Sequence, residues 1–468
     1  MTAQSWRIVR TELVRGVTPV ALLATGASAL VLLGAEASVW VGRWGALAEQ
    51  VRVILLVLAP VAVAAGAWQG GREHRRRMPD LISSTSRRPL HGVLVACVST
   101  TAGVWLGLAV AWLAAVLLVA PAATYAGGGW WWTLTVSLAG LAAASAVGVC
   151  VGRLIPGRLV APVAGVVAFV VGGMATYRMD GLSWLVPALG HQSRGLSSLD
   201  TGFQLLQLSW FAALGATALV LAGANRKAVA LLPATAAAIV AVPIIAGPGE
   251  ARWHPDPAAR DLVCTGDRGA EVCMTRVNAF LLEEAAPRVQ ALLRRWEDVP
   301  GGFDRAVDVA ALAPETGPVV PDPATGGRTA ALDVTGGLIV WNGKLVPEES
   351  TDVTIETVFG WNLPEVLIQG CAAVGRVDDA PVDIWAVSTV AEAWAGGNPD
   401  VGTVRVEADA EGDDEPAAET SRASAEIGDA QRLAALPADE QRAWMGTYLE
   451  AASTCDDETL LALRGELR

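Results

Sequence analysis

A run of arginines between residues 71 and 90 is the strongest concentration of cationic side chains in this sequence. Guanidinium groups bind carboxylates and phosphates, so the run can pair with acids on a partner protein or with anionic lipid headgroups. Glu73 lies near its start, and Leu81 and Ile82 form an apolar pair in its middle. That pair favours docking of a partner, while membrane orientation and lipid contact remain the alternative. The run contains six arginines: Arg72, Arg75, Arg76, Arg77, Arg87 and Arg88.

Cysteines are the second set of side chains with a definite chemistry. Four of the six lie in the second half of the chain: Cys264, Cys273, Cys371 and Cys455. An even number in an oxidising compartment predicts two disulfides, for which three pairings exist. We favour Cys264–Cys273, which are close in sequence, and by elimination Cys371–Cys455. A zinc cluster is the rival interpretation, but the spacing is not of the C-x-x-C type. Cys97 and Cys150 lie in apolar runs, where we expect inert small side chains.

Several catalytic chemistries are excluded by missing motifs. A phosphate-binding G-x-x-x-x-G-K-[ST] loop does not occur, because Gly343-Lys344 is followed by Leu345. No H-E-x-x-H occurs, and no histidine follows His254, which excludes Ser-His-Asp, Cys-His and His-ligated zinc hydrolases from the second half. We therefore expect no enzyme activity, no bound metal and no cofactor in this chain.

Composition divides the chain into two halves. It has 468 residues, of which 53% are hydrophobic and 17% charged, and its mean hydropathy is +0.42. Residues 1–250 carry 17 Lys+Arg and 8 Asp+Glu, which is a net charge of +9. Residues 251–468 carry 17 Lys+Arg and 39 Asp+Glu, which is a net charge of −22, and the two halves sum to −13. A basic membrane half and an acidic exposed half are predicted. The acidic half argues against nucleic acid as a partner.

Seven apolar segments approach the ~20 residues that a helix needs to cross a bilayer. They predict a polytopic α-helical membrane domain over residues 17–246, preceded by a short amphipathic stretch over 1–16. That stretch is either an interfacial helix or only a basic flank. The segments cover residues 17–33, 51–68, 92–120, 131–151, 159–175, 205–224 and 228–246.

Positive charges predict the orientation of these segments, because Lys and Arg collect in cytoplasmic connections. The N-terminus, the arginine run and the connections after the fourth and sixth segments are cationic, which predicts a plasma-membrane protein with the N-terminus inside and the C-terminal half outside. Trp130, Trp131 and Trp132 fall at an outer end. Glu36 and Arg52 are expected at outer ends too, so no charge lies deep in a segment, which argues against an ion-coupled transporter.

Small residues recur every four positions within two of the segments. Such ridges let helix backbones approach closely, either inside one subunit or at a dimer seam. The glycines concerned are Gly103, Gly107, Gly140, Gly148 and Gly152.

Residues 247–468 predict an α-rich mixed α+β domain. Helical patterns cover 278–299, 354–374, 381–395 and 429–467, and residues 319–345 favour two or three strands. Residues 408–428 are acidic and poor in large apolar side chains, which is typical of a linker or flexible loop.

The arrangement of residues 1–227 resembles the permease subunit of type-2 ABC exporters. The similar features are the amphipathic start, six segments, the basic connection after the second and a re-entrant-looking stretch between the fifth and sixth. The resemblance implies a coupling helix formed by Glu73, Arg75, Arg76, Arg77, Leu81, Ile82, Arg87 and Arg88 that docks on a separate ATPase subunit. It also implies a second permease copy, as homodimer or heterodimer, with ATP and Mg²⁺ bound by the ATPase.

The seventh segment and the acidic exterior domain depart from that family. Arginine-rich composition, with two lysines among 34 Lys+Arg, resembles actinobacterial proteins, some of which carry a similar exterior domain. We expect the membrane subunit of an ABC-type exporter whose exterior domain binds a substrate or an envelope partner. The alternative is a membrane-anchored extracytoplasmic binding or sensory protein without transport, and an ectoenzyme is a third hypothesis.

Overall fold

The computed structural model describes residues 16–75, 89–155, 157–178, 181–190, 192–267, 269–311, 319–321, 328–332, 338–341, 344–347, 382–397 and 416–467. The chain divides into two compact units, Met1–Ala259 and Arg260–Arg468. The first unit therefore extends past the boundary expected at residue 247. The reason is a strand pairing that holds the residues after the last apolar helix to this unit.

Seven helices in the described part of the first unit are long and apolar enough to cross a membrane, as the sequence predicts. A turn of 3-10 helix, Lys227–Ala230, leads into the last of them. The helices are α1 (Thr18–Ala35), α2 (Trp44–Gly70), α3 (Pro89–Val119), α4 (Trp130–Leu154), α5 (Val160–Arg178), α6 (Thr201–Gly223) and α7 (Leu231–Ala246).

Helices α2 and α4 form the centre of the first unit. They pack against each other, α5 packs on α2, α6 packs on α4 and α7, and α1 packs on α3. Helix α2 begins seven residues before the predicted segment, and this corrects one expectation. Glu49 and Arg52 lie inside the helix, and both are buried. Polar residues at 49–52 interrupt the apolar pattern, so the sequence alone places the start of the helix too late.

Three connections meet at one end of the helix bundle, which we call the outer end. Strand β1 (Ser197–Leu199), before α6, pairs antiparallel with β2 (Trp253–Pro255), after α7. Tyr125, between α3 and α4, donates a hydrogen bond of 2.6 Å from its hydroxyl to Asp256 Oδ2. The end of α7 thus lies beside the start of α6, as it must if α7 crosses the bundle. The opposite end, where α2 finishes, is the inner end.

Tryptophans pack together at the outer end. Trp130, the first residue of α4, stacks on Trp44, the first residue of α2, with ring centroids 5.3 Å apart. It also stacks on Trp112 of α3 at 5.7 Å. Amphipathic indoles at one end of the helix bundle suit a bilayer interface.

A five-stranded sheet organises the start of the second unit. Its order is β3-β4-β5-β7-β6, with β4, β5 and β7 parallel and both edge strands antiparallel. Helix α8 (Leu282–Leu293) covers β4 and β5. The strands are β3 (Leu262–Thr265), β4 (Glu271–Thr275), β5 (Phe303–Asp308), β6 (Val319–Pro321) and β7 (Arg328–Leu332), and a separate hairpin pairs β8 (Leu338–Trp341) with β9 (Lys344–Pro347).

Four helices complete the described part of the second unit. Helix α9 (Val382–Gly396) is buried along most of its length. It packs against α10 (Pro416–Ala435) and α12 (Asp457–Glu466), and α11 (Ala438–Thr454) packs on α12. The mixed α+β character agrees with the sequence, although residues 319–347 form four strands where two or three were predicted.

One predicted loop needs correction. Residues 416–428 of the stretch 408–428, expected to be a linker or flexible loop, belong to helix α10. Their Ala, Glu and Arg content favours a helix, and Pro416 suits its first turn. Residues 408–415, the predicted helix over 354–374 and residues 1–15 of the amphipathic stretch over 1–16 lie outside the described residues.

Candidate functional site at the two ends of helix α2

The connection between α5 and α6 folds into the outer end of the bundle. We call its described residues, 181–190 and 192–200, the outer segment. A turn of 3-10 helix, Leu182–Leu185, begins it, and Trp184, Ala188 and Leu189 are buried. Trp184 packs edge-on against Phe203 of α6, with ring centroids 5.3 Å apart. These contacts anchor the segment within the bundle.

Side chains from α2 and α6 satisfy the backbone of the outer segment. Arg52 Nε donates to the carbonyl of Pro187 at 3.1 Å. Gln207 Nε2 donates to the carbonyl of Trp184 at 2.9 Å, and Trp210 Nε1 donates to that of Leu185 at 2.8 Å. Non-helical backbone at membrane depth is stable only when its polar groups find such partners.

The positions of these three donors along their helices show how far the outer segment extends into the helix bundle. Arg52, Gln207 and Trp210 follow the first residues of their helices by eight, six and nine positions, which corresponds to about 9–14 Å at ~1.5 Å per residue. Pro187 also packs against Gly140 of α4, where an added Cβ would come 2.5 Å from the Pro187 Cβ. The outer segment therefore extends about 9–14 Å into the helix bundle.

Glu49 holds the second part of the outer segment to α2. Its carboxylate accepts hydrogen bonds from the Ser193 amide at 2.7 Å, the Ser193 hydroxyl at 2.6 Å and the Arg194 amide at 3.1 Å. Gln192 Nε2 adds a bond of 2.8 Å to Gln50 Oε1. Left-handed backbone at Arg194 and Gly195, with φ of 53° and 82°, turns these amides toward the carboxylate.

Arg252 joins the outer segment to the end of α7. Its guanidinium donates to the carbonyl of Ile244 at 2.7 Å and lies over the rings of Trp184 and Phe203, 5.1 and 4.3 Å from their centroids. A cation at a helix C-terminus interacts favourably with the helix dipole. Burial lowers the pKa of the Arg252 guanidinium from its usual value, and the dipole offsets part of that cost.

The inner end of α2 leads into the arginine run. Glu73 Oε2 lies 3.0 Å from Arg153 Nη1 at the end of α4. Arg75 donates to the carbonyl of Trp68 and stacks over its ring, 4.2 Å from the centroid. Glu73 and Arg75, which the resemblance assigns to the coupling helix, thus have partners within their own unit. The other residues assigned to that helix, Arg76, Arg77, Leu81, Ile82, Arg87 and Arg88, lie outside the described residues.

The glycines singled out by their spacing lie at close contacts inside the chain. Gly148 and Gly152 of α4 face Val63 and Ala67 of α2. Gly103 and Gly107 of α3 face residues 18–26 of α1, whereas Gly140 faces Pro187 of the outer segment rather than a helix. All five glycines are therefore occupied by contacts within this chain.

The disulfide Cys264–Cys273 predicted from the short spacing is present. The two residues are direct partners across β3 and β4. Because their Sγ atoms are bonded to each other, this pair offers no thiolate to a metal ion. Cys455 is also disulfide-bonded, and its expected partner Cys371 lies outside the described residues. Cys97 and Cys150 are free and buried, as expected.

Sequence reasoning missed the side chains that hold the outer segment. Glu49, Gln207, Trp210 and Arg252 contact residues distant in sequence, by more than 140 positions for Glu49. One signal was available in Gln204 and Gln207, two amides on one face of an apolar helix that require buried partners.

Comparisons of this chain with protein-family models, with curated proteins and with solved structures find no match.

Proposed function

We propose that this protein is the membrane-spanning permease subunit of an ABC-type exporter, driven by a separate ATPase that docks on residues 71–90. The observation that carries the proposal is the span of α2. This 27-residue helix, about 40 Å long, holds the outer segment at one end and leads into the arginine run at the other.

The contacts of α2 suit the transmission of movement. At the inner end, Glu73 ties α2 to α4. At the outer end, Arg52 and Glu49 hold the outer segment. Pro60 interrupts the backbone hydrogen bonds midway along the helix, where bending costs less. Closure of a docked ATPase would shift the inner end of α2. That shift would change the hydrogen bonds by which Arg52 and Glu49 hold the outer segment.

The chain has no P-loop with which to bind a nucleotide, because its sequence lacks a phosphate-binding Gly-Lys-Ser/Thr motif. ATP and Mg²⁺ would bind the partner ATPase. The second unit would bind the substrate or an envelope partner outside the cell, and a second permease copy would complete the assembly. The Cys264–Cys273 disulfide supports placing the second unit in an oxidising compartment.

Co-purification from the native membrane, followed by an ATPase assay, tests the proposal. The test variant combines Arg76→Gln with Arg77→Gln. Arg75 is left intact because it contacts Trp68. The control variant combines Arg226→Gln with Lys227→Gln, which removes two exposed charges from another inner connection. We expect an ATPase to co-purify with the wild type and the control, and to be lost from the test variant.

Topology is checked in the same samples through the disulfide, since Cys264 and Cys273 must remain oxidised in both variants. If no ATPase co-purifies with the wild type, the exporter is rejected in favour of the membrane-anchored binding or sensory protein. Retention of the ATPase by the test variant, with topology intact, would reject Arg76 and Arg77 as docking residues.

A further inference from the structure

Arg52 is a buried cation that has no counter-ion among the described residues. Its side chain is 0% exposed, and its two hydrogen-bond acceptors are the Pro187 carbonyl at 3.1 Å and Gln207 Oε1 at 3.3 Å. Both acceptors are neutral, and Nη2 has no partner. Among the described residues, no carboxylate forms an ion pair with this guanidinium.

Glu49 and Arg252, two other buried charges at the outer end, have identifiable roles. Glu49 directs its carboxylate to Ser193 and Arg194 rather than to Arg52. Arg252 lies at the end of α7, where the helix dipole favours a cation. Holding one carbonyl of the outer segment does not require a charge, since Gln207 and Trp210 do the same without one. The charge of Arg52 is therefore left unexplained by the fold.

An ionised side chain at membrane depth is costly and is typical of a functional site. An unpaired buried guanidinium, with one nitrogen unpartnered, is best compensated by an anion that accepts two hydrogen bonds. We propose that Arg52 binds the phosphate or carboxylate headgroup of an anionic amphiphile, which replaces the Pro187 carbonyl and displaces the outer segment.

The surroundings favour an amphiphile over a free anion. Arg52 lies about 12 Å along α2 from Trp44. Helix α5, which packs on α2, exposes apolar side chains along its length, including Val163, Val167 and Val171 at 57%, 55% and 59%. Once the outer segment is displaced, an amphiphile whose headgroup reaches Arg52 would have the apolar surface of α5 available for its acyl chain. That the bound amphiphile is also the exported substrate rests on the function proposed above.

Binding of dodecyl phosphate to the full-length protein, in nanodiscs of phosphatidylcholine and without any ATPase, tests the site. We expect Arg52→Gln, which can still donate to Pro187, to weaken binding about 10- to 100-fold, the contribution of a charge-assisted hydrogen bond. Arg52→Lys keeps the charge and should weaken binding less. The matched control is Arg178→Gln, which removes an exposed charge near the outer end and should leave binding unchanged.

A neutral ligand keeps the test decisive if Arg52→Gln does not fold. The dimethyl ester of dodecyl phosphate has the same chain without the charge, and the wild type should bind it at least about 10-fold more weakly. Hydrogen exchange at residues 184–190 should rise when dodecyl phosphate binds, because the headgroup displaces the Pro187 carbonyl.

Competition by phosphatidylglycerol mixed into the nanodiscs would identify a membrane lipid as the occupant, and lack of competition would identify a non-lipid amphiphile. Equal binding of the charged and neutral esters, or equal binding by wild type and Arg52→Gln, would overturn the proposal. So would binding of inorganic phosphate as tight as that of dodecyl phosphate. Because the assay contains no ATPase, its failure is distinct from failure of the exporter proposal.

Discussion

Glu73 and Arg153 form an ion pair of 3.0 Å that joins the inner end of α2 to that of α4. Both side chains are partly exposed, at 34% and 21%, so the pair remains within reach of a docking partner. The resemblance to ABC permeases assigns Glu73 to the ATPase contact. In the structure Glu73 has a partner inside its own unit, and these two roles make different predictions.

Charge reversal separates the two roles of Glu73. Glu73→Arg and Arg153→Glu should each lower the free energy of unfolding by no more than about 1 kcal/mol, as is usual for an exposed pair. The double variant should regain that loss, because the pair re-forms with its charges exchanged. Thermal unfolding of the wild type, the two single variants and the double variant in one detergent measures the coupling energy between Glu73 and Arg153.

The same four proteins report on docking. If Glu73 acts only within its unit, the double variant should also regain ATPase co-purification. Restored stability without a restored ATPase would show that the Glu73 carboxylate contacts the partner itself.

Glu49 is expected to hold the outer segment in place. One carboxylate oxygen accepts from two backbone amides and the other accepts from the Ser193 hydroxyl. Glu49→Gln leaves one acceptor oxygen where the carboxylate has two, so the hydrogen bond from the Ser193 hydroxyl is lost or reversed, at a cost of about 0.5–1.5 kcal/mol. Hydrogen exchange and proteolysis at residues 192–200 should therefore increase.

Glu36→Gln is the matched control for this change, because Glu36 lies at the end of α1 and is exposed. It should leave exchange in the outer segment unchanged. Equal protection of residues 192–200 in the wild type and Glu49→Gln would contradict the assigned role.

The apolar helices could be predicted from the sequence because bilayer thickness imposes a length of ~20 residues whatever the packing. All seven predicted segments are helices in the structure. The start of α2 could not be predicted, since Glu49 and Arg52 interrupt its apolar pattern. Their burial depends on the outer segment, more than 130 positions further along the chain. Local patterns contain no information about contacts at that distance.

In the second unit, a contact between residues close in sequence could be predicted. Cys264 and Cys273 are nine positions apart, close enough for one hairpin to bring them together, and the sequence favoured this pair. The helix over residues 416–428 could not be predicted, because low hydrophobicity and acidic charge are shared by linkers and by solvent-exposed helices. Packing of α10 against α9 decides in favour of the helix.

Asp456 should make the last helix sensitive to acid. It precedes α12 and accepts hydrogen bonds from the Thr459 hydroxyl at 2.6 Å and the Thr459 amide at 3.2 Å. These bonds lower the pKa of the Asp456 carboxyl from its usual value. The folded pKa is thus below the unfolded pKa, so the contribution is full above the unfolded pKa, about 3.9, and is lost as pH falls through the folded pKa.

Asp456→Asn keeps the size of the side chain and removes its charge. At neutral pH the amides of residues 459–461 should be more protected from exchange in the wild type than in the variant. This difference should vanish in acid below the folded pKa. Glu466→Gln, at the other end of α12, is the control and should not lower protection at neutral pH. A wild-type advantage that persists unchanged in strong acid would contradict the assignment.

Two glycine substitutions in apolar helices should have opposite effects. An added Cβ at Gly148 of α4 would overlap the carbonyl of Val63 in α2, whereas at Gly173 of α5 it would meet no atom within 4 Å. Gly148→Ala should therefore lower the free energy of unfolding by about 1–3 kcal/mol, the usual cost of overpacking. Gly173→Ala should raise it by up to ~1 kcal/mol, because alanine favours a helix over glycine. Unfolding of both variants in the same mixed micelles measures the difference, and equal effects would show that close approach of α2 and α4 is not required.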